Sequence, residues 1–255
     1  MLFHQIIYGP IQSRRLGRSL GVNLLPANGK WCSFDCIYCE CGWNIDGTAD
    51  KRLPSKQEVA QALEEKIKEL ADQNNLPDAI TFSGNGEPTL HPDFKPIVEH
   101  TMVLRNRYAP KAKICVLSNA TQLHRPDIFE ALLMIDKPIL KIDSAIPKTQ
   151  SLIDRPAVGY NLSKTIEAMQ KFNGNFCLQT IFLRGVHQGE IIDNTTPNEK
   201  AAWIALVKKL RPKEVMIYTI DRPTPAKNLS KVPFYELKAM ADEVAALGFT
   251  VETAG

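Results

Sequence analysis

Three cysteines on one short stretch are the residues whose spacing points most directly to chemistry. Cys32, Cys36 and Cys39 form the pattern C-x3-C-x2-C within the segment WCSFDCIYCECG. Thiolates at this spacing can converge on a compact metal centre. Clusters that only carry electrons are usually held by four cysteines, so three would leave one iron of a [4Fe-4S] cluster open to a further ligand. The amine and carboxylate of a small molecule could fill that position.

The same cysteines allow other interpretations. A zinc knuckle or a set of unconnected core cysteines would use the same residue type. Cys41 could supply a fourth ligand, although we expect a solvated or packed thiol. Cys115 and Cys177 lie early in apolar runs, toward the amino ends of the strands predicted below, and are expected to be small core residues.

Short apolar runs alternate along the chain with turn residues and segments of helical period. This alternation predicts a parallel sheet with crossover helices. The predicted strands are 20–25, 79–83, 114–117, 139–142, 177–183 and 215–219, and 249–252 could form a seventh. The clearest helical periods are 55–73, 162–172, 199–210 and 234–247, the first beginning at a Ser55 cap with Glu58 three residues later.

Six strand and helix units are too few for a closed barrel of eight, so we predict an α/β fold, a partial (βα)6 barrel with an open parallel sheet and outer helices. In such folds the chemistry lies in the loops at the carboxyl ends of the strands. The unusual segments of this sequence fall in those loops, which predicts a single active site. They are WCSFDCIYCECG, SGNGEPTLHP, SNAT, DSAIP, RGVHQGE and DRPTP.

Composition supports one domain over 1–255. At 255 residues and 44% apolar content, the chain can bury a large core without disulfides. We expect a core at about 20–220, with 1–19 and a C-terminal helix and further strand at 233–255 packed on it. The balance of 31 Lys and Arg against 28 Asp and Glu says little about the substrate.

Cellular location is predicted from the N-terminus and the cysteines. The order of basic and apolar residues in MLFHQIIYGPIQSRR is the reverse of a secretory signal, and no run approaches the ~18 apolar residues of a membrane span. Six unevenly placed cysteines fit a reducing cytoplasm, where such a group is typical of metal binding. We therefore expect a cytoplasmic protein without membrane contact.

With WCSFDCIYCECG followed by SGNGEPTLHP after the next predicted strand, the sequence resembles the radical S-adenosylmethionine (SAM) superfamily. That superfamily combines C-x3-C-x-aromatic-C with a GGEP-like segment after the second strand. The segment GPIQSRRLGRSLGVNLLP before the cysteines is similar to a group of small radical SAM proteins related to the radical SAM domain of wybutosine synthesis. The resemblance extends from Gly9 to about Val232 and is strongest before Pro92.

The resemblance implies two cofactors, a [4Fe-4S] cluster on Cys32, Cys36 and Cys39 and SAM on its open iron. It implies reductive cleavage of SAM to a 5'-deoxyadenosyl radical that abstracts hydrogen from a substrate, an oxidoreductase-type chemistry supplied by the cofactor. Tyr38 matches the aromatic residue near the adenine, although a core tyrosine would look the same. No catalytic residue beyond the cofactor ligands is assigned.

The remaining SAM contacts implied by the resemblance lie at the ends of strands. GNGEP departs from GGEP by one Asn. Its glycines would allow close approach of the ligand, and its carboxylate would accept from the SAM ammonium, unless the segment is a simple turn. Short polar residues at later strand ends could contact SAM or form turns. The predicted contacts are Gly84, Asn85, Gly86, Glu87, Ser118, Asn119, Asp143 and Gln179.

Basic residues supply weaker candidates. An early patch could grip a phosphate or carboxylate of the substrate, or form a salt-bridged face. Others near the active-end loops are candidate substrate contacts. The patch comprises Arg14, Arg15 and Arg18, and the others are Arg155, Arg184, His187 and Arg222.

The leading hypothesis is a single-cluster radical SAM enzyme with an unassigned substrate. The alternatives are a non-catalytic iron-sulfur or zinc module that senses redox state, and an activating enzyme for a glycyl-radical protein. No cysteine precedes Cys32 or follows Cys177, which argues against wybutosine-type activity and auxiliary clusters. A flavodoxin or ferredoxin is expected as electron donor, and RNA, peptide or protein as substrate because little chain follows the sixth strand.

Overall fold

A computed structural model describes residues 1–13, 15–46 and 52–255 of the chain. Arg14, from the predicted basic patch, lies outside these residues. The described residues form ten β-strands and seven α-helices. The strands are β1 (Ile7–Ser13), β2 (Gly17–Val22), β3 (Ala79–Phe82), β4 (Lys113–Ser118), β5 (Lys137–Lys141), β6 (Cys177–His187), β7 (Glu190–Asp193), β8 (Glu214–Thr219), β9 (Leu229–Lys231) and β10 (Val251–Ala254). The helices are α1 (Lys56–Asp72), α2 (Phe94–Tyr108), α3 (Pro126–Met134), α4 (Pro147–Asp154), α5 (Leu162–Gln170), α6 (Pro197–Leu210) and α7 (Phe234–Ala245).

One compact unit carries the first four strands in the order β1-β2-β3-β4. β1 is antiparallel to β2, whereas β2, β3 and β4 are parallel neighbours joined through α1 and α2. α1 packs against α2, and α2 against α3. Parallel strands need such crossovers because a short turn cannot reverse the chain direction twice. The unit comprises Met1–Ser33, Asn44–Ser118 and Gln122–Pro138.

The second compact unit contains the strand order β5-β6-β8-β10, with all three pairings parallel. β7 and β9 pair antiparallel with the carboxyl half of β6. β6 continues to His187, beyond the predicted end of this strand at residue 183. Helix α7 packs on β10 and β8. The unit comprises Phe34–Trp43, Asn119–Thr121 and Ile139–Gly255.

The predicted strands correspond to β2, β3, β4, β5, β6 and β8, and the run at 249–252 corresponds to β10. The largest shift is at β2, predicted at 20–25. The strand ends at Val22 because the Asn23 side chain accepts hydrogen bonds from the backbone N–H groups of Leu25 and Asn85, which turns the chain out of the sheet. The four clearest helical periods became α1, α5, α6 and α7.

Burial follows the apolar pattern. In α1 the buried residues are Val59, Leu63, Ile67 and Leu70, which recur at helical spacing along one face. Cys115 and Cys177 are 0% and 2% exposed, as predicted for core residues. Within the described ranges, no helix combines the length and apolar character needed to cross a membrane.

Candidate functional site

The glycines of GNGEP allow two backbone segments of the first unit to meet. Gly86 forms a parallel bridge with Trp31, the residue before Cys32, and the Glu87 N–H donates to the Trp31 carbonyl at 3.2 Å. A Cβ on Gly86 would lie 1.9 Å from that carbonyl oxygen, and its φ of +135° favours glycine as well. A Cβ on Gly84 would lie 2.4 Å from Asn23 Oδ1. The close approach that these glycines permit is therefore to the protein's own chain.

Asn85 binds the N-terminal segment through its side chain. It is fully buried, and its Nδ2 donates to the carbonyls of Phe3 and Pro26 at 2.8 and 2.7 Å. Its Oδ1 accepts from the Phe3 N–H at 2.8 Å. These bonds give Asn85 a structural role between Gly84 and Gly86, and its assignment as a SAM contact stays a prediction.

Glu87 presents a buried carboxylate at the end of the same loop. It is 2% exposed, and its Oε1 accepts from Ser118 Oγ at 2.9 Å, Thr89 Oγ1 at 2.5 Å and Thr89 N–H at 3.1 Å. Two of the predicted contacts, Glu87 and Ser118, are thus brought together. Hydroxyl and amide donors hold this carboxylate in one orientation, which suits it to receive a ligand ammonium group.

In the second unit, the backbone around Cys36 is held by the end of helix α4. The Asp35 N–H donates to the Asp154 carbonyl at 3.0 Å, and the Ile37 N–H donates to the Ile153 carbonyl at 3.0 Å. Cys36 lies between these two bonds and is 7% exposed. Its thiol is therefore presented from a fixed stretch of backbone.

A buried group of charged residues surrounds the Cys36 sulfur. Lys141 Nζ lies 3.6 Å from the sulfur and 2.7 Å from Asp143 Oδ2, and it also donates to Asp154 Oδ1. The Cys36 thiol donates to Asp154 Oδ1 at 3.4 Å, and Gln150 Nε2 donates to Asp154 Oδ2 at 3.0 Å. The side chains of Lys141, Asp143 and Asp154 are 12%, 0% and 1% exposed, so their charges act in a medium of low dielectric.

The ionisation of this group follows from burial and pairing. Burial alone would lower the pKa of Lys141, but Asp143 and Asp154 hold that pKa well above its usual value. Burial, and with it the charge of Asp143, raises the pKa of Asp154 to about 7 although Lys141 opposes the change. Two buried carboxylates thus share one ammonium group, which stays protonated.

Tyr38 and Asp143, both predicted SAM contacts, are joined directly. The Tyr38 hydroxyl donates to Asp143 Oδ2 at 2.5 Å, and Asp143 Oδ1 accepts from the Ile181 N–H at 3.1 Å. Burial, and then the charge of Asp143, raise the pKa of the Tyr38 phenol well above its usual value. The phenol therefore stays neutral and orients the Tyr38 ring.

Gln179 and Asn119 are the other two predicted contacts of this unit. Gln179 is 6% exposed, and its Nε2 has no hydrogen-bond partner among the described residues. A buried amide donor of this kind fits an acceptor atom of a bound ligand. The Asn119 Oδ1 accepts from Thr121 N–H and Oγ1 at 3.2 and 2.8 Å, which is a local turn.

The other loop cysteines are partly accessible. Cys32, Cys39 and Cys41 are half-buried, and the Cys39 N–H donates to the Cys36 carbonyl at 3.1 Å. Three thiols within eight residues fit an iron-sulfur cluster as a donor set. Across 1–13, 15–46 and 52–255, no three His, Cys, Asp or Glu side chains are grouped as metal ligands, so the ligand assignment stays a prediction.

Several predicted basic contacts have acidic partners. The Arg18 N–H and Nε donate to Asp78, Arg184 pairs with Glu236 and Asp193, and Arg222 pairs with Glu40. Arg155 Nη1 lies 2.9 Å from His187 Nε2, and both side chains pack on Trp43. Burial, and then the charge of Arg155, lower the pKa of His187.

No sequence motif singles out Lys141, Gln150 or Asp154, which surround the Cys36 sulfur in the structure. One signal for Lys141 was present, since it interrupts the apolar run of a predicted buried strand and stands two residues before Asp143, on the same strand face. Gln150 and Asp154 lie on α4, a helix of only eight residues, which is too short to show a clear helical period in the sequence. Nothing in the sequence alone placed that helix beside Cys36.

Comparison with known proteins agrees with the motifs. The family model of the radical SAM superfamily matches residues 29–194, which include all three predicted cluster cysteines and GNGEP. The matched part is well over half of the chain. The chain therefore belongs to the radical SAM superfamily.

Curated relatives narrow this class. The chain is 32% identical over 241 residues to a UPF0026 protein of Methanocaldococcus jannaschii, covering 91% of this chain and 68% of that protein. It is 31% identical over 228 residues to a UPF0026 protein of Synechocystis sp., covering 86% of this chain and 77% of that one. Within the superfamily, the chain groups with the UPF0026 proteins.

Solved structures confirm the predicted fold class. A radical SAM methyltransferase from Sphaerobacter thermophilus matches with a TM-score of 0.68 at 14% identity, covering 92% of this chain and 65% of that one. Streptococcus suis SuiB bound to S-adenosylmethionine matches with a TM-score of 0.63 at 15% identity, covering 89% of this chain and 49% of SuiB. TYW1 with a lysine-pyruvate adduct bound matches with a TM-score of 0.61 at 14% identity, covering 90% of this chain and 73% of TYW1. This chain has the α/β partial-barrel fold of the radical SAM proteins, including that of wybutosine synthesis.

Proposed function

We propose that this chain is a radical SAM enzyme with one [4Fe-4S] cluster, held by Cys32, Cys36 and Cys39. The observation that carries the proposal is the C-x3-C-x2-C spacing of these cysteines within the segment matched by the superfamily. When bound, the reduced cluster would supply one electron for cleavage of the SAM carbon–sulfur bond, giving methionine and a 5'-deoxyadenosyl radical that would abstract hydrogen from a substrate.

The chain's own residues would bind and orient SAM. The oriented Glu87 carboxylate, held by Ser118 and Thr89, is proposed to accept from the SAM ammonium group. The buried Gln179 amide, with no partner among the described residues, is proposed to donate to SAM. The ring of Tyr38, fixed by its bond to Asp143, is proposed to pack near the adenine.

The expected partners remain proposals. A low-potential flavodoxin or ferredoxin would supply the electron, and a reducing cytoplasm would preserve the cluster. RNA, peptide and protein are the candidate substrates. Of these, peptide has one supporting observation, because SuiB of similar fold has also been solved bound to its precursor peptide SuiA.

The test is production of 5'-deoxyadenosine by anaerobically reconstituted protein given dithionite and SAM. We expect the nucleoside from the natural chain and none from Cys36→Ala. A four-iron cluster without nucleoside, even with candidate substrates present, would favour the non-catalytic module. Uptake of zinc in place of iron would contradict the central proposal.

Nucleoside formation that appears only with a glycyl-radical partner would favour the activating-enzyme alternative. The experiment therefore separates all three hypotheses.

A further inference from the structure

The Cys36 sulfur lies beside a buried ammonium group that the cluster assignment by itself does not explain. Lys141 Nζ is 3.6 Å from the sulfur, and the lysine side chain is 12% exposed. A lysine within a buried strand is costly unless it is paired. The position of this lysine therefore needs a reason beyond filling space.

Two kinds of contact fix the ammonium group in place. It donates to Asp143 Oδ2 at 2.7 Å and to Asp154 Oδ1, and Gln150 Nε2 holds the other Asp154 oxygen. It also lies 4.9 Å from the centre of the Phe34 ring and 5.5 Å from that of Tyr38, both within cation-π range. These contacts leave the Nζ little freedom to move away from the sulfur.

Metal binding would change which contacts of the Cys36 sulfur are favourable. As a thiol, Cys36 donates to Asp154 Oδ1 at 3.4 Å. A metal-bound cysteine is a thiolate and has no proton to donate. The thiolate would then face a carboxylate, and Lys141 is a neighbouring group that can donate to the sulfur while staying bonded to Asp154.

We infer that Lys141 is a positioning residue for the cluster, an inference that rests on the proposed function. Lys141 holds a positive charge and an N–H donor against the Cys36 thiolate. Asp143, Asp154 and Gln150 hold the lysine there. A cluster that accepts one electron from its donor gains one negative charge. A nearby cation and a hydrogen bond to a ligand sulfur stabilise that reduced form and raise the reduction potential.

The test is a redox titration of the reconstituted cluster that is monitored by electron paramagnetic resonance. In Lys141→Met we expect a more negative potential. The reduced-to-oxidised ratio at a fixed potential should fall about tenfold, equivalent to about 59 mV for one electron. Lys141→Arg, which keeps the cation, should recover most of the natural potential.

A matched control separates this effect from general loss of an ion pair. Arg105 is also a mostly buried cation and is paired with Asp136 at 2.9 Å. It is far along the sequence from the three predicted cluster cysteines. Arg105→Met should lower stability and leave the cluster potential unchanged. A purely structural role for Lys141 would make the two variants behave alike.

A second variant covers poor folding of Lys141→Met, which leaves two buried carboxylates without their cation. In Lys141→Met with Asp143→Asn, one of these carboxylates is neutralised while Asp154 stays beside the sulfur, and a lowered potential is still expected because the cation there is lost. An unchanged potential in both variants that lack the lysine would refute the inference alone. Failure of both to load iron, while Arg105→Met loads normally, would assign Lys141 to folding and also overturn it. Zinc uptake by the natural chain would refute the inference and the proposed function together.

Discussion

The side chain of Asn85 makes three hydrogen bonds to backbone groups more than fifty residues away in sequence. We expect Asn85→Ala to lower the free energy of unfolding by about 2 to 4 kcal/mol, because it removes the partner of the half-buried Phe3 N–H and of the buried Pro26 carbonyl. Urea unfolding measures this change. Asn106→Ala, at an exposed site, is the control and should change stability little. An equal effect of the two substitutions would contradict the structural role of Asn85.

Glu87, unlike Asn85, is bonded to side chains and not to distant backbone groups. The hydroxyls of Ser118 and Thr89 donate to its carboxylate, which could also bind a ligand. Glu87→Gln keeps the shape and an acceptor oxygen for Ser118 and Thr89, so the fold should be retained. Loss of the negative charge should weaken SAM binding about tenfold or more, since hydrogen bonds to charged groups contribute about 1.5 to 3 kcal/mol. Calorimetry with reconstituted protein measures the affinity. The exposed substitution Glu99→Gln should leave it unchanged, and equal affinities in both variants would exclude the proposed ammonium contact.

At the scale of elements, the Trp31 to Gly86 bridge fixes the backbone that enters the cysteine stretch. Gly86→Ala should displace Trp31 and reduce iron uptake on reconstitution by about half or more, because the new Cβ would overlap the Trp31 carbonyl. Gly159→Ala is a matched control, since Gly159 also has a positive φ, +89°, but no atom within 4 Å of the added Cβ. Iron and sulfide analysis of both variants checks this. Similar loss in both would show that backbone strain, not the bridge, is responsible.

Helix α1 begins with a capping box that carries a pH dependence. Hydrogen bonds from the Ser55 backbone and hydroxyl, and then from Arg52, lower the pKa of Glu58 to about 2. A carboxyl group whose pKa is lowered on folding stabilises the folded state at pH values above its unfolded pKa of 4.5. That stabilisation is lost as the pH falls from 4.5 toward about 2. Glu58→Gln should therefore lower the unfolding temperature at pH 7 by a small amount, as Glu58 is exposed, and by less at pH 3. A difference independent of pH between these values would contradict the assignment.

Elements with strong apolar patterns could be predicted from the sequence, and those defined by tertiary contacts could not. The runs that became β3, β4 and β8 are buried on both faces, so their composition alone marks them as parallel strands. β1 lies at the edge of its sheet, mixes half-buried and exposed residues without regular alternation and contains Pro10, so it carries no such signal.

The same contrast applies to the candidate site. The cysteines, Glu87 and Ser118 could be found because they lie in motifs or at strand ends. The partners of Cys36 could not, since Lys141 and Asp154 meet it across separations of 105 and 118 residues. Only the folded chain shows that a short helix holds the cysteine backbone and one carboxylate beside the sulfur.

For the whole molecule, the cluster assignment predicts the response to each cysteine substitution. Reconstituted protein should contain about four iron and four sulfide per chain. Ala at Cys32, Cys36 or Cys39 should remove most of this content, because a missing thiolate leaves an incomplete coordination shell. Cys41→Ala serves as the control and should retain the visible absorbance of the cluster. Loss of that absorbance in Cys41→Ala would show that the ligand set is assigned wrongly.

The bond between Asn85 and Phe3 also bears on the order in which the chain folds. It closes a loop of 82 residues and requires Asn23, which bonds the Asn85 backbone, to have been placed by pairing of β2 with β3. Closing long loops has an entropic cost that is met most easily after shorter-range contacts have formed. The amide of Phe3 should thus gain protection from hydrogen exchange later than the amides of β3 during refolding. The GNGEP loop would then reach its final conformation only once the first residues of the chain have docked.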